Sequence, residues 1–121
     1  MPHTDAQQLL EVLSNALPAA EAILITNRYG VELAENISIG EHGLLPTLTA
    51  ASRIFAGRLT EVTGRGQEEY ISLYLNQGCY SVFEAGAKWI IGILSPTDEK
   101  QGDLPEIVSL AASTVGPAPS L

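Results

Sequence analysis

The chain has 121 residues, enough for one domain around a single core, and its 45% hydrophobic and 17% charged composition describes a folded protein rather than a disordered segment. No apolar run approaches the roughly 18–20 residues needed to cross a bilayer, and a net charge of −8 repels phosphate backbones and anionic lipid, which sets aside nucleic-acid binding and direct membrane insertion. A lone cysteine, Cys79, excludes an internal disulfide and an all-cysteine metal site.

Met1-Pro2-His3-Thr4-Asp5 carries no basic region leading into an apolar stretch and no glycine for myristoylation, and the C-terminus has no prenylated cysteine motif. The expectation is a cytoplasmic protein without a membrane anchor of its own. The 14 acidic residues against 6 basic ones suffice for solubility and also suit a basic partner.

Residues 4–17 read as a helix. Thr4 or Asp5 is placed to cap it, Leu10, Leu13 and Leu17 recur at helical spacing, Leu9, Val12 and Ala16 widen the stripe, and Pro18 stops it. An apolar strand, Ala22 to Ile25, then enters the turn Asn27-Arg28-Tyr29-Gly30, and a second strand, Val31 to Ala34, leaves it, with Ile37 and Ile39 able to prolong it. Asn27 and Gly30 both tolerate positive φ, which permits a tight reversal. Gly40 and Gly43 mark the loop that follows.

The spacing predicts a second helix from about Pro46 to Val62, with the proline in its first turn. Leu48, Phe55, Leu59 and Val62 form one apolar stripe, with Ser52 inside it, while Thr47, Ala50, Ala51, Ile54 and Gly57 form a second surface of small residues around one isoleucine. An ordinary surface helix has one apolar face. Two faces predict a helix held between its own sheet and another body: a second subunit, or the terminal helices of the same chain.

Gly64-Arg65-Gly66 ends this helix. Three strands follow, Glu69 to Leu75, Cys79 to Ala85 and Lys88 to Leu94, joined by Asn76-Gln77-Gly78 and Gly86-Ala87, both short enough for antiparallel hairpins. In the first of them Ile71, Leu73 and Leu75 alternate with Tyr70, Ser72 and Tyr74; in the last, Trp89, Ile91 and Ile93 share one face and Ile90 and Leu94 the other. After a polar loop, Leu104 to Thr114 reads as a short helix with Pro105 in its first turn, and residues 115–121 as a loose tail. The whole is a single α/β domain, an antiparallel five-stranded sheet with helices in the order α-β-β-α-β-β-β-α.

Catalytic constellations are missing from the sequence. His3 and His42 are the only histidines, and His42 sits in a glycine-flanked loop without a nucleophile motif nearby. Cys79 opens a strand and reads as a small core or edge residue. Gly64-Arg65-Gly66 lacks the lysine and Ser/Thr of a phosphate loop and leads from helix to strand, so it reads as a turn. Glu68-Glu69 and Asp98-Glu99 are adjacent pairs rather than spaced metal or glycosidase carboxylates. The expectation is no catalytic residue, no metal and no cofactor.

With this element order, the chain resembles the roadblock family, named for a dynein light chain, over roughly residues 5–114. Its strongest local piece is the first hairpin, where members carry Asp-x-x-Gly and this chain has Asn27-Arg28-Tyr29-Gly30-Val31. Within the family, Leu17-Pro18 and Glu41-His42-Gly43-Leu44-Leu45-Pro46 are similar to the MEK-partner scaffold subunit of the Ragulator complex. The resemblance implies a non-enzymatic protein that forms a homodimer, or a heterodimer with another roadblock domain, by packing central helices together and joining middle strands into one sheet. It places the dimer interface at Thr47, Ala50, Ala51, Ile54 and Gly57 of the helix and Tyr70, Ser72 and Tyr74 of the strand.

The dimer is then expected to serve as a scaffold or adaptor for a small Ras-like GTPase or a signalling kinase module of MAP kinase or mTOR type, reaching the late endosome or lysosome surface through a lipidated partner. Two other readings stand beside it. A bacterial-type roadblock protein would act as a GTPase-activating or polarity-control regulator by orienting the GTPase's own catalytic residues. A profilin- or PAS-like domain would sense a small molecule in an internal pocket.

Overall fold

Leu9, Leu10 and Leu13 sink into the core from helix α1 (Pro2–Ala16), and Leu104, Val108 and Ala111 do so from helix α3 (Leu104–Val115). Both helices lie on one face of an antiparallel sheet whose strands are β1 (Ala22–Thr26), β2 (Glu32–Ile37), β3 (Tyr70–Leu75), β4 (Gly78–Ala85) and β5 (Trp89–Ser95), in the spatial order β2-β1-β5-β4-β3. The remaining helix, α2 (Leu45–Thr63), packs against β1, β5 and β4. The structure, a computed structural model, describes residues 2–37, 43–66, 70–85, 89–96 and 103–115. The loop histidine His42, the strand extension to Ile39, the Glu68-Glu69 and Asp98-Glu99 pairs, the Gly86-Ala87 turn and the tail beyond residue 115 lie outside the described residues.

Strand register sorts the side chains into two layers. Ile25 pairs with Ile91 and Ile91 with Phe83, so these point to the same face, and they join Ile23, Ile93 and Trp89 in the buried cluster under α1 and α3. This is the expected division of β5, with Trp89, Ile91 and Ile93 on one side. The opposite face carries Leu24, Val82, Ile90, Gly92 and Tyr80, and it is the face that receives α2. All five β1 side chains are buried, as befits a strand covered on both faces.

The first hairpin closes by a different device from the one the sequence predicts. Gly30 takes φ +86°, but Asn27 keeps a negative φ. Asn27 works through its side chain, whose Oδ1 accepts hydrogen bonds from the backbone N–H of Tyr29 (2.9 Å) and of Val31 (3.0 Å). An asparagine oxygen thereby satisfies two turn donors that would otherwise need water. Helix α2 ends as Gly64 enters the left-handed region at φ +65°, its N–H bonded to the Thr60 carbonyl, which makes Gly64-Arg65-Gly66 a cap and turn.

The seat of α2 corrects the sequence reading. The stripe Leu48, Phe55, Leu59 and Val62 does not face the sheet; it is exposed, Val62 to 83% and Phe55 to 68%. The buried residues of α2 are Thr49 and Ala56, flanked by half-buried Leu45, Ser52, Arg53 and Thr60. The reason lies in the sheet. The Tyr80 ring lies across Gly92, so closely that a Cβ on Gly92 would meet the phenol oxygen at 2.0 Å. With an aromatic ring already covering the middle strands, only small side chains fit above it. Nor do the terminal helices cover α2, since they occupy the other face.

Candidate functional site

Among the described residues, every exposed large apolar side chain except Leu110 belongs to the β1–β2 turn, to α2 with the preceding Leu44, or to β3. On α2 these are Leu48, Ile54, Phe55, Leu59 and Val62, and on β3 they are Tyr70, Leu73, Tyr74 and Leu75. Leu73 and Leu75 pair with Tyr80 and Gly78 and so stand on the same sheet face as α2. Tyr70 and Tyr74 stand on the opposite face, Tyr70 across from Phe83, so the exposed apolar residues run over α2 and around both faces of the β3 edge, a contiguous pattern rather than scattered surface residues.

The two sheet edges differ in chemistry. Strand β2 carries Glu32, Glu35 and Asn36, charges and amides of the kind that discourage pairing with another strand. Strand β3, Tyr70-Ile-Ser-Leu-Tyr-Leu75, has no charge, proline or register shift against β4. Among the described residues no strand pairs with its outer row of N–H and C=O groups.

The predicted interface residues divide between these two elements. Thr47, Ala51 and Ile54 are exposed on α2, while Ala50 and Gly57 are half-buried. Ala50 has a partner within its own chain: a Cβ on Gly30 would lie 3.0 Å from the Ala50 Cβ, so the first turn rests on this helix. Gly57 has open space where a Cβ would stand. On β3, Tyr74 is 74% exposed, Ser72 bonds to Ser81 (2.9 Å between hydroxyls), and Tyr70 stacks on Phe83 with ring centroids 5.1 Å apart.

Polar contacts hold α2 to the sheet. The Thr49 hydroxyl donates to the Leu45 carbonyl and is also hydrogen-bonded to the Tyr80 hydroxyl, at 2.7 Å from each, and Arg53 forms an ion pair with Glu84 on β4. Burial pushes the Tyr80 phenol above its ordinary pKa, an effect that the bond to Thr49 partly offsets. Cys79 is buried, 3.7 Å from the Ser81 hydroxyl, and among the described residues no group of His, Cys, Asp and Glu is placed to hold a metal. Between α1 and β2 an open groove of about 440 Å³ is lined by Leu10, Glu11, Ser14, Asn15, Glu35 and Asn36.

Compared with known proteins, the sequence matches no family model and no curated protein. Solved structures do share its architecture. A structure described as MglB with tetrameric arrangement superimposes with a TM-score of 0.77 at 20% identity, covering 92% of this chain and 87% of that one. The gliding protein MglB from Thermus thermophilus gives 0.76 at 21% identity, over 92% and 90%. A Roadblock/LC7 domain from Streptomyces avermitilis gives 0.73 at 14% identity, over 88% and 91%. The chain has the roadblock/LC7 fold.

Identities this low speak for fold alone, and within that fold two features of this chain escape sequence reasoning. The first is the outward direction of Leu48, Phe55, Leu59 and Val62, for which the signal was present: a helix apolar on most of its circumference must be covered on most of it. The second is the Gly92–Tyr80–Thr49 stack. A glycine inside an otherwise branched aliphatic strand, Trp89-Ile-Ile-Gly-Ile-Leu-Ser95, marks a close approach by another group, and a tyrosine on the neighbouring strand is a fitting visitor.

Proposed function

We propose that this roadblock/LC7-fold protein is a non-catalytic dimeric regulator of a small Ras-like GTPase, its two copies joined through α2 and the β3 edge. The observation that carries the dimer is the concentration of exposed apolar residues on α2 and β3, beside a sheet edge with no charged residue. A strand edge of this kind gains a row of backbone hydrogen bonds when a second copy pairs with it. The same pairing brings Leu73, Leu75 and the apolar flanks of α2 into an interface. Gly57, where an added Cβ would meet no described residue within 4 Å, suits the close approach of a second helix, in keeping with Thr47, Ala50, Ala51, Ile54, Tyr70, Ser72 and Tyr74 as interface residues.

The regulatory role is carried by resemblance. Relatives in fold are described as a gliding protein from Thermus thermophilus and as MglC from Myxococcus xanthus. They favour a bacterial-type regulator or GTPase-activating protein at least as well as a MAP kinase or mTOR-type scaffold. A Ragulator subunit on the late endosome finds no support among them.

Light scattering at roughly tens of micromolar tests the dimer. The wild type is expected to have twice the chain mass, and Leu73→Lys to dissociate, because lysine on an edge strand opposes pairing. A monomeric wild type, alone and with candidate roadblock partners, would remove the proposal's basis. Adding the dimer to a GTP-loaded small GTPase from the same organism then separates the roles: faster hydrolysis marks an activating protein, binding without acceleration an adaptor.

A further inference from the structure

We infer that α2 is a conditionally seated helix: in a single copy it opens separately from the rest of the fold, and the partner subunit completes its attachment. This rests on the dimer proposed above for its second half only. The argument starts from what each helix buries. Helix α1 inserts Leu9, Leu10 and Leu13 into the core, and the shorter α3 inserts Leu104 and Val108. The longest helix of the chain, α2, buries Thr49 and Ala56.

Hydrophobic stabilisation follows the apolar area removed from water, so the longest helix has the smallest apolar anchor. Beside the half-buried Leu45, Ser52, Arg53 and Thr60, its attachments include a hydroxyl pair, Thr49 with Tyr80, an ion pair, Arg53 with the 42% exposed side chain of Glu84, and the touch of Gly30 on Ala50. Hydrogen bonds and half-exposed ion pairs replace equivalent bonds to water and hold weakly.

The helix does little to sustain itself. Gly57 sits in its middle, Thr47, Thr49, Ile54, Thr60 and Val62 are β-branched, and its first turn begins at Leu44 without a side-chain cap. Helices of this length owe most of their stability to packing of an apolar face. Here the apolar residues point outward, where a second copy would meet them. Dimer formation then does two things at once, joining the subunits and fixing α2 on its own sheet.

Hydrogen exchange followed by mass spectrometry tests this on the full chain. The wild type is measured concentrated and after dilution below the dimer's dissociation midpoint, and Leu73→Lys is measured alongside, with light scattering reporting mass in each case. In the monomer the α2 amides are expected to exchange on the order of tenfold or more faster than those of α1 and β1, and the dimer is expected to close that gap. Trp89, buried on the far face, reports by its fluorescence that the rest of the chain stays folded. Protection of α2 equal to that of α1 in a folded monomer overturns the inference while leaving the dimer standing. A wild type that is monomeric throughout overturns the dimer, and α2 exchange in that monomer still decides whether the helix opens alone. Equal α2 exchange in monomer and dimer overturns the coupling.

Discussion

Replacing Gly92 by alanine should unseat α2, although alanine is the better residue for a strand. Propensity alone favours the change by roughly 0.5–1 kcal/mol, because glycine loses more backbone freedom on folding. The structure opposes it more strongly. The new Cβ would fall 2.0 Å from the Tyr80 phenol oxygen and 2.7 Å from Cζ, so the ring has to swing off the strand. Its hydrogen bond to Thr49 is then lost, at about 1 kcal/mol, and the displaced ring crowds the underside of α2 at Thr49 at an overpacking cost of about 1–3 kcal/mol. The net expectation is a loss of about 1–3 kcal/mol. Urea denaturation followed by Trp89 fluorescence and by far-ultraviolet circular dichroism measures it. The double variant Gly92→Ala/Tyr80→Ala should be less destabilised than the sum of its parts, since removing the ring removes the clash. Gly92→Ala as stable as the wild type, or strictly additive with Tyr80→Ala, would refute the account of how the helix sits.

Gly57→Ala should have opposite effects on the helix and on the dimer. With nothing within 4 Å of the added Cβ it stabilises the single copy by roughly 0.5–1 kcal/mol, and at a close helix crossing it weakens the dimer, so thermal melting and light scattering should move in opposite senses. Tyr80 makes seating pH-dependent. Its folded pKa is raised above the ordinary 10.0, so the stability it contributes is fully present below that value and is lost as pH rises through the higher folded one. The helical signal should therefore hold from pH 7 to about 9 and decline above about 10. The accompanying late step in the tyrosinate absorbance should vanish in Tyr80→Phe, and its persistence there would assign it elsewhere. Binding to a basic partner should weaken from low to physiological salt, since exposed carboxylates such as Glu11, Glu21, Glu32 and Glu106 are open to screening. Salt-independent affinity would mean an apolar contact on the α2 side, where the exposed charges include Arg58 and Arg65.

The element order was legible because periodicity is local. Alternation in β3 and β5, the leucine spacing of α1 and the glycines after α2 each announce their element without reference to anything distant. The turn at Asn27 was placed correctly, but its mechanism was not, since a side-chain oxygen and a positive φ leave the same trace in sequence. The orientation of α2 was the larger difference. Apolar residues mark which side of a helix is buried in the assembled state, and a single copy need not be that state. Thr49 and Ala56 face the sheet because Tyr80 has already filled the space over Gly92, and no pattern within α2 reports the size of a side chain on β4. Of the residues expected at the interface, Ile54 and Tyr74 are exposed in the single copy, and Ala50 is partly taken up by Gly30.

The unequal edges of the sheet set a limit on growth. A strand that accepts pairing on one side, in a sheet whose other side refuses it, has a single open valence. Two copies joined β3 to β3 would use both valences and leave a ten-stranded sheet bounded at each end by the Glu32 and Glu35 carboxylates of β2. Such a sheet would resist a third member edge to edge, so in the proposed dimer the uncharged strand that would seed fibres in a symmetric design would lead to a closed pair. In that dimer, replacing the two glutamates with threonine would reopen the chain reaction, and the β2 carboxylates would be what keeps the assembly finite.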